Sequence, residues 1–310
     1  MTKRATREAF GETLVELASE GIDVVAVEAD LSKSTTTATF AKAYPDRFFN
    51  VGIAEANMIG TAAGLAVAGK TAFTGSFAVF GTGRAYDQIR NTVCYAELDV
   101  KLAPTHSGIT VGPDGGTHQM IEDLALMRVL PGMRVLVPAD YNAAKAALRL
   151  AAKTPGPFYV RLGRAALPQV HPDGFELELG RAYVLREGSD VTLAACGVMV
   201  AEALGAADIL AEQGISAEVI DVASVKPLDE ATLVASATKT GAVVTCEEHS
   251  ILAGMGSAVA ELLSEKAPTR MKRIGVRDVF GTSGDPAELM AYFGLSANDI
   301  VKAASELLGK

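Results

Sequence analysis

"AEANMIGTAAGLAVAGKTAFTGSF", residues 54–77, sets the architecture of the chain. From Asn57 to Gly83 the sole formal charge is Lys70, which at first suggests a membrane span. An ammonium near the centre of a spanning helix costs ~2.5–3.5 kcal/mol. Glycines at 60, 64, 69, 75, 81 and 83 punctuate the run as a helix, a turn and a strand in succession. Such an order belongs to the buried core of an α/β protein. Residues 64–71, "GLAVAGKT", match the phosphate-loop pattern letter for letter. That loop needs a strand before it and a helix after it, so that backbone N–H groups point at phosphates. Here the order is reversed, and Gly69 is expected to cap the helix. One residue remains unexplained. Glu55 heads the apolar helix as the only charge between Arg47 and Lys70. As a first-turn carboxylate it gains only ~0.3–1 kcal/mol from the helix dipole.

Outward from this stretch the same alternation continues. "DVVAVEAD", "KTAFTGSF", "VKLAPTH", "RVLVPAD" and "PFYVRL" read as short apolar strands, with segments of helical length and composition between them. After Arg164 the periodicity lapses, and a second alternating series begins near residue 187. The expectation is α/β, with two doubly wound domains, each a mainly parallel sheet covered by helices. Their boundaries are placed at 1–165 and 187–310, with a linker at 166–186. A chain of 310 residues is long enough for two cores. The net charge of -9 argues against a broad nucleic-acid or anionic-membrane surface. Three scattered cysteines, 94, 196 and 246, suit small buried residues in a reducing compartment. "MTKRATREAF" has no apolar run, so a secretory signal is not expected.

"THSGITVGPDGGTHQMIED", residues 105–123, follows a strand, precedes a helix and carries two of the four histidines. His106, Asp114 and His118 in a Gly-rich loop at the end of a parallel strand stand where open α/β sheets place ligands. No third ligand stands at a zinc-like spacing. Phe77 and Phe80 in "SFAVF" share one helical face, as core or as a wall for a flat ring. Arg161 and Arg164 end the last strand of the first series, as a phosphate clamp or as ion pairs. His249 in "CEEHS" is expected to be structural or interfacial.

These pieces together resemble the transketolase family. "RFFNVGIAEANM", "SFAVFGTGRAYDQIR", "HSGITVGPDGGTHQMIED", "PGMRVLVPAD" and "YVRLGR" stand in the family's order at similar spacings, followed by "VKPLD", "EEHSILAGMGSA" and "SGDPAELMAYFGL". The likeness covers nearly all of the chain. A whole transketolase also has a diphosphate-binding half with a G-D-G motif, and "GDG" occurs nowhere here. The resemblance therefore implies the pyrimidine-binding and C-terminal domains of a split transketolase. Its implied partner is a separate diphosphate-binding subunit that holds Mg2+ or Ca2+, in a cytoplasmic α2β2 assembly acting on sugar phosphates.

The resemblance also implies roles for residues. Glu55 would hydrogen-bond N1' of the aminopyrimidine of thiamine diphosphate, favouring the 4'-imino tautomer whose nitrogen removes the proton from thiazolium C2. An isolated Glu in an apolar setting suits that task. Phe77 and Phe80 would wall the pyrimidine, and Asp30 would lie near the thiazolium. Asp114 and His118 would handle the donor's hydroxyls, with His118 as the acid–base. His106, Ser34 and Arg164 would reach the substrate or its phosphate. "GTGRAY" runs one residue longer than in the relatives, leaving the third aromatic of the pocket unplaced and Gly83 a candidate for its position. Rival readings are a 1-deoxy-xylulose-5-phosphate synthase-like chain, a 2-oxo-acid dehydrogenase β-like chain, and a non-catalytic regulatory subunit. The synthases tend to lack the first histidine of the loop, whereas His106 is present.

Overall fold

The computed structural model describes residues 3–310. The N-terminal part contributes strands β1 (Lys3–Ala5), β2 (Val24–Glu28), β3 (Phe48–Asn50), β4 (Thr71–Gly75), β5 (Val100–Leu102), β6 (Arg134–Leu136), β7 (Phe158–Val160) and β8 (Ala166–Pro168). The C-terminal part adds β9 (Tyr183–Arg186), β10 (Val191–Ala195), β11 (Ala217–Asp221), β12 (Ser224–Lys226), β13 (Ala242–Ser250) and β14 (Arg270–Val276). Two large sheets result, in the orders β12-β6-β7-β5-β4-β2-β3 and β14-β13-β10-β11-β9. Every pairing in them is parallel except at the edge strands β12 and β9. The expected α/β class holds. β1 and β8 form a small antiparallel ribbon. β12 comes from the C-terminal part yet pairs with β6 of the first sheet, which ties the two parts together.

Strand alternation explains the layering. In β2, Val25 and Val27 face one apolar cluster while Val24 and Ala26 face another. In β10, Ala194 joins the first of these and Leu193 a third. One core therefore lies between the sheets and one on each outer side, as period-2 strands buried on both faces require.

The stretch rich in glycine folds as a helix, Glu55–Val67, followed by β4. Met58, Ile59, Ala62 and Ala63 are its buried apolar residues. Gly69 ends it at φ +87°, and its N–H donates to the Ala66 carbonyl at 2.9 Å. The phosphate-loop look-alike thus closes a helix and opens a strand.

A buried ionic cluster joins the two parts. Arg161 donates to Asp123 and to the carbonyls of Met120 and Glu248, while Tyr159 also donates to Asp123 at 2.6 Å. Glu248 accepts the Thr110 N–H at 2.6 Å, so the C-terminal part grips the Gly-rich loop from below. Gly108 is required there, because a Cβ would collide with the Glu248 carboxyl group. His249 is fully buried at this junction, with Nε2 accepting the Ala125 N–H at 3.4 Å.

Candidate active site

Strands β2, β3, β4, β5 and β7 run parallel, and their C-terminal ends carry the loops holding Asp30, Asn50, Phe77, His106 and Arg164. One sheet edge therefore collects residues that lie far apart in the sequence, as in other open α/β sheets.

At this edge Glu55 begins its helix with only 4% of its surface exposed. Its Oε1 accepts a hydrogen bond from Arg84 Nη1 at 3.0 Å. The same guanidinium lies over Phe80, 4.1 Å from the ring centre. Phe77 and Phe80 stack with centres 6.0 Å apart and planes 17° from parallel. His106 stacks on Phe77 at 3.8 Å, and His118 meets Phe80 edge-on at 5.3 Å. Glu55, Phe77, Phe80, His106 and His118 thus form one continuous constellation.

The sequence leaves the third wall of this pocket open. "GTGRAY" begins in a π-helical turn, Val79–Arg84. It brings Arg84 onto Phe80 and leaves Gly83 exposed. Sequence alone does not reveal which side chain such a widened turn presents.

The Gly-rich loop is held in an unusual backbone. His106 has φ +60° and is 2% exposed, with Nδ1 2.7 Å from Thr105 Oγ1. Burial, reinforced by Arg7, Arg164 and His118, lowers its pKa to about 3. At neutral pH it is an uncharged imidazole. His118 Nδ1 lies 2.9 Å from Thr117 Oγ1.

A second cluster adjoins the first. Arg164 Nη1 donates to the Val111 carbonyl and lies 3.6 Å from Asp114 Oδ1. Arg7, unforeseen from sequence, donates to the Ser34 carbonyl at 3.0 Å. Burial and then Arg164 pull the Arg7 pKa down. Among the described residues its buried Nε has no hydrogen-bond partner. Arg7 and Arg164 line a cavity of about 350 Å³ with Thr110, Val111 and Pro113. The guanidinium hydrogen bonds go to the Ser34 and Val111 carbonyls, and further N–H groups are available to an anion there, although Asp114 and Asp285 stand nearby. Arg7 escapes a sequence reading because an arginine before a helix looks like an ordinary surface charge. Arg161 does not belong to the cavity's cations, being committed to Asp123.

Asp30 sits at φ +64° and exchanges hydrogen bonds with Asn50 at 3.2 and 3.1 Å. Beneath it, buried Glu28 accepts from Thr35, Thr37 and the Leu31 N–H, fixing the turn that carries Ser34. Among the described residues no group of His, Cys, Asp and Glu is arranged to hold a metal. Among them, too, no helix is long and apolar enough to cross a membrane.

Two family models match the chain: the transketolase pyrimidine-binding domain over residues 2–169 and the transketolase C-terminal domain over residues 180–300. The chain belongs to the transketolase family. It is 46% identical to a 6-deoxy-6-sulfo-D-fructose transketolase subunit of Clostridium sp., over 97% of this chain and 94% of that one. It is 39% identical to an apulose-4-phosphate transketolase subunit of Phocaeicola vulgatus, over 99% of this chain and 98% of that one. Among solved structures it resembles a split-gene transketolase in an inactive β4 tetramer, with a TM-score of 0.92, 52% identity, and 99% of each chain covered. These transketolase relatives are themselves subunits, and the match runs over nearly their whole length.

Proposed function

We propose that this chain is the pyrimidine-binding subunit of a thiamine-diphosphate-dependent transketolase, transferring a two-carbon ketol unit between sugar phosphates. It acts with a separate diphosphate-binding subunit that holds Mg2+ or Ca2+, in an α2β2 assembly. The observation that carries this reading is the Glu55 carboxylate, shielded from water and engaged by a flat N–H donor lying on Phe80.

The site already accommodates a planar, nitrogen-bearing group between an aromatic face and a carboxylate oxygen, the two contacts that an aminopyrimidine needs. When bound, the cofactor would supply a nucleophilic thiazolium carbon for the chemistry at the donor's carbonyl. The chain's own residues do the rest. Glu55 holds a proton at the pyrimidine nitrogen from a dry position. His106, kept neutral by burial, offers a hydrogen bond to a sugar oxygen without repelling Arg7 and Arg164. His118, edge-on to Phe80, moves a proton at the donor's hydroxyl. Arg7 and Arg164 take the substrate phosphate, with Asp114 at the hydroxyls beside it and Ser34 against Arg7. Asp30, pinned by Asn50, orients the thiazolium end.

The test is reconstitution. Chain plus diphosphate-binding partner is expected to convert xylulose 5-phosphate plus ribose 5-phosphate, while the chain alone converts neither. Turnover of pyruvate plus glyceraldehyde 3-phosphate in its place would point to synthase chemistry. Turnover by the chain alone would overturn the division of labour between subunits.

A further inference from the structure

Arg84 makes two contacts at once, on Glu55 Oε1 at 3.0 Å and over Phe80 at 4.1 Å. Its own side chain is 52% exposed, whereas that of Glu55 is 5% exposed. The guanidinium therefore closes the site from the solvent side while the carboxylate lies beneath it. Phe77 stacks nearly parallel to Phe80, and His118 meets its ring edge-on.

A guanidinium and an aminopyrimidine make similar demands. Both are flat, both offer N–H groups to a carboxylate, and both gain from lying on an aromatic face. One carboxylate oxygen and one ring face do not serve both in the same geometry. We infer that Arg84 and the pyrimidine ring of the cofactor are competing ligands of Glu55 and Phe80, so that Arg84 sets how tightly the assembled enzyme holds thiamine diphosphate. The inference rests on the proposal that Glu55 receives the cofactor's pyrimidine.

The competition has a physical use. A buried carboxylate with no partner is costly, and Arg84 satisfies it before the ring arrives. On entry the ring breaks a charge-assisted hydrogen bond and a cation–π contact, and Arg84 swings into the solvent that already bathes half of it. Gly83, the neighbouring residue in the turn, has open space around it.

Arg84→Met keeps the aliphatic stem and removes the charge and the donors. Thiamine diphosphate binding is measured by calorimetry on the chain assembled with its diphosphate-binding partner and Mg2+. The variant is expected to bind about tenfold tighter than wild type. In the chain alone, Arg84→Met is expected to lower the melting temperature, and to do so far less in a Glu55→Gln background, since the lost contact is the one with the carboxylate. Equal or weaker binding by Arg84→Met, with wild type binding normally, overturns the inference and leaves the cofactor reading standing. An equal melting shift in both backgrounds also overturns it. Failure of both proteins to bind the cofactor overturns the inference together with the reading it rests on.

Discussion

Arg161 Nε lies 2.7 Å from Asp123 Oδ2, and both side chains are almost completely buried. Burial pushes the Asp123 pKa up, but Arg161 outweighs it and the carboxylate is held below its usual range. Three residues further along the segment that follows β7, Arg164 lines the cavity with a third of its side chain exposed. On the proposed function, these neighbouring arginines divide the work between architecture and recognition.

The first prediction tests that division. Arg161→Met strands a buried carboxylate and is expected to cost ~3–5 kcal/mol of stability. Arg164→Ala breaks only a part-exposed pair and is expected to cost less than ~1 kcal/mol. Denaturant midpoints of the two variants give the comparison. A small loss for Arg161→Met would mean that the junction between the two parts does not depend on this cluster.

Recognition is tested by a crossed pair of substrates. Arg164→Ala, and Arg7→Ala with it, is expected to lose about ten- to a hundredfold in kcat/KM with xylulose 5-phosphate as donor. With hydroxypyruvate as donor and an unphosphorylated acceptor, both variants are expected to match wild type. His118→Ala is expected to lose ~10²–10⁴ in kcat with either donor. Equal losses for Arg164→Ala with both donors would remove it from the phosphate site.

His106 gives a pH signature. Its pKa is lowered from 6.5 to about 3 in the folded chain, so below pH 6.5 the unfolded chain binds a proton that the folded one refuses. Stability is therefore lost as pH falls from about 6.5 towards 3, with a slope of up to ~1.4 kcal/mol per pH unit from this group. His106→Asn, chosen because Asn tolerates positive φ, is expected to flatten the profile in that window. Melting temperatures of the two proteins from about pH 7 to about pH 4 measure it. Parallel profiles would mean that His106 is not buried as an uncharged ring.

Much of this is legible in the residues. Glycine punctuation between Asn57 and Gly83 reveals a helix, a turn and a strand because each needs its own spacing, and Gly69 takes its cap by the usual left-handed geometry. Glu55 is conspicuous because nothing around it is charged. What escapes are residues whose importance comes from tertiary placement. Arg7 and Arg84 look like surface charges, and only the meeting of loops at one sheet edge sets the first beside Arg164 and the second on Glu55. Glu28 reads as the end of an apolar strand, yet its buried carboxylate organises the turn that holds Ser34.

The proposed function stands or falls with Glu55 activating the cofactor across a subunit interface. Its sharpest test is hydrogen–deuterium exchange at thiazolium C2, followed in wild type and Glu55→Ala after assembly with the diphosphate-binding partner. Glu55→Ala is expected to fold and assemble, since it gives up a single hydrogen bond to the half-exposed Arg84 and a first-turn charge that contributes under ~1 kcal/mol through the helix dipole. Exchange in that variant is expected to slow by orders of magnitude. Exchange at the wild-type rate in an assembled, cofactor-loaded Glu55→Ala enzyme would contradict the role assigned to this carboxylate.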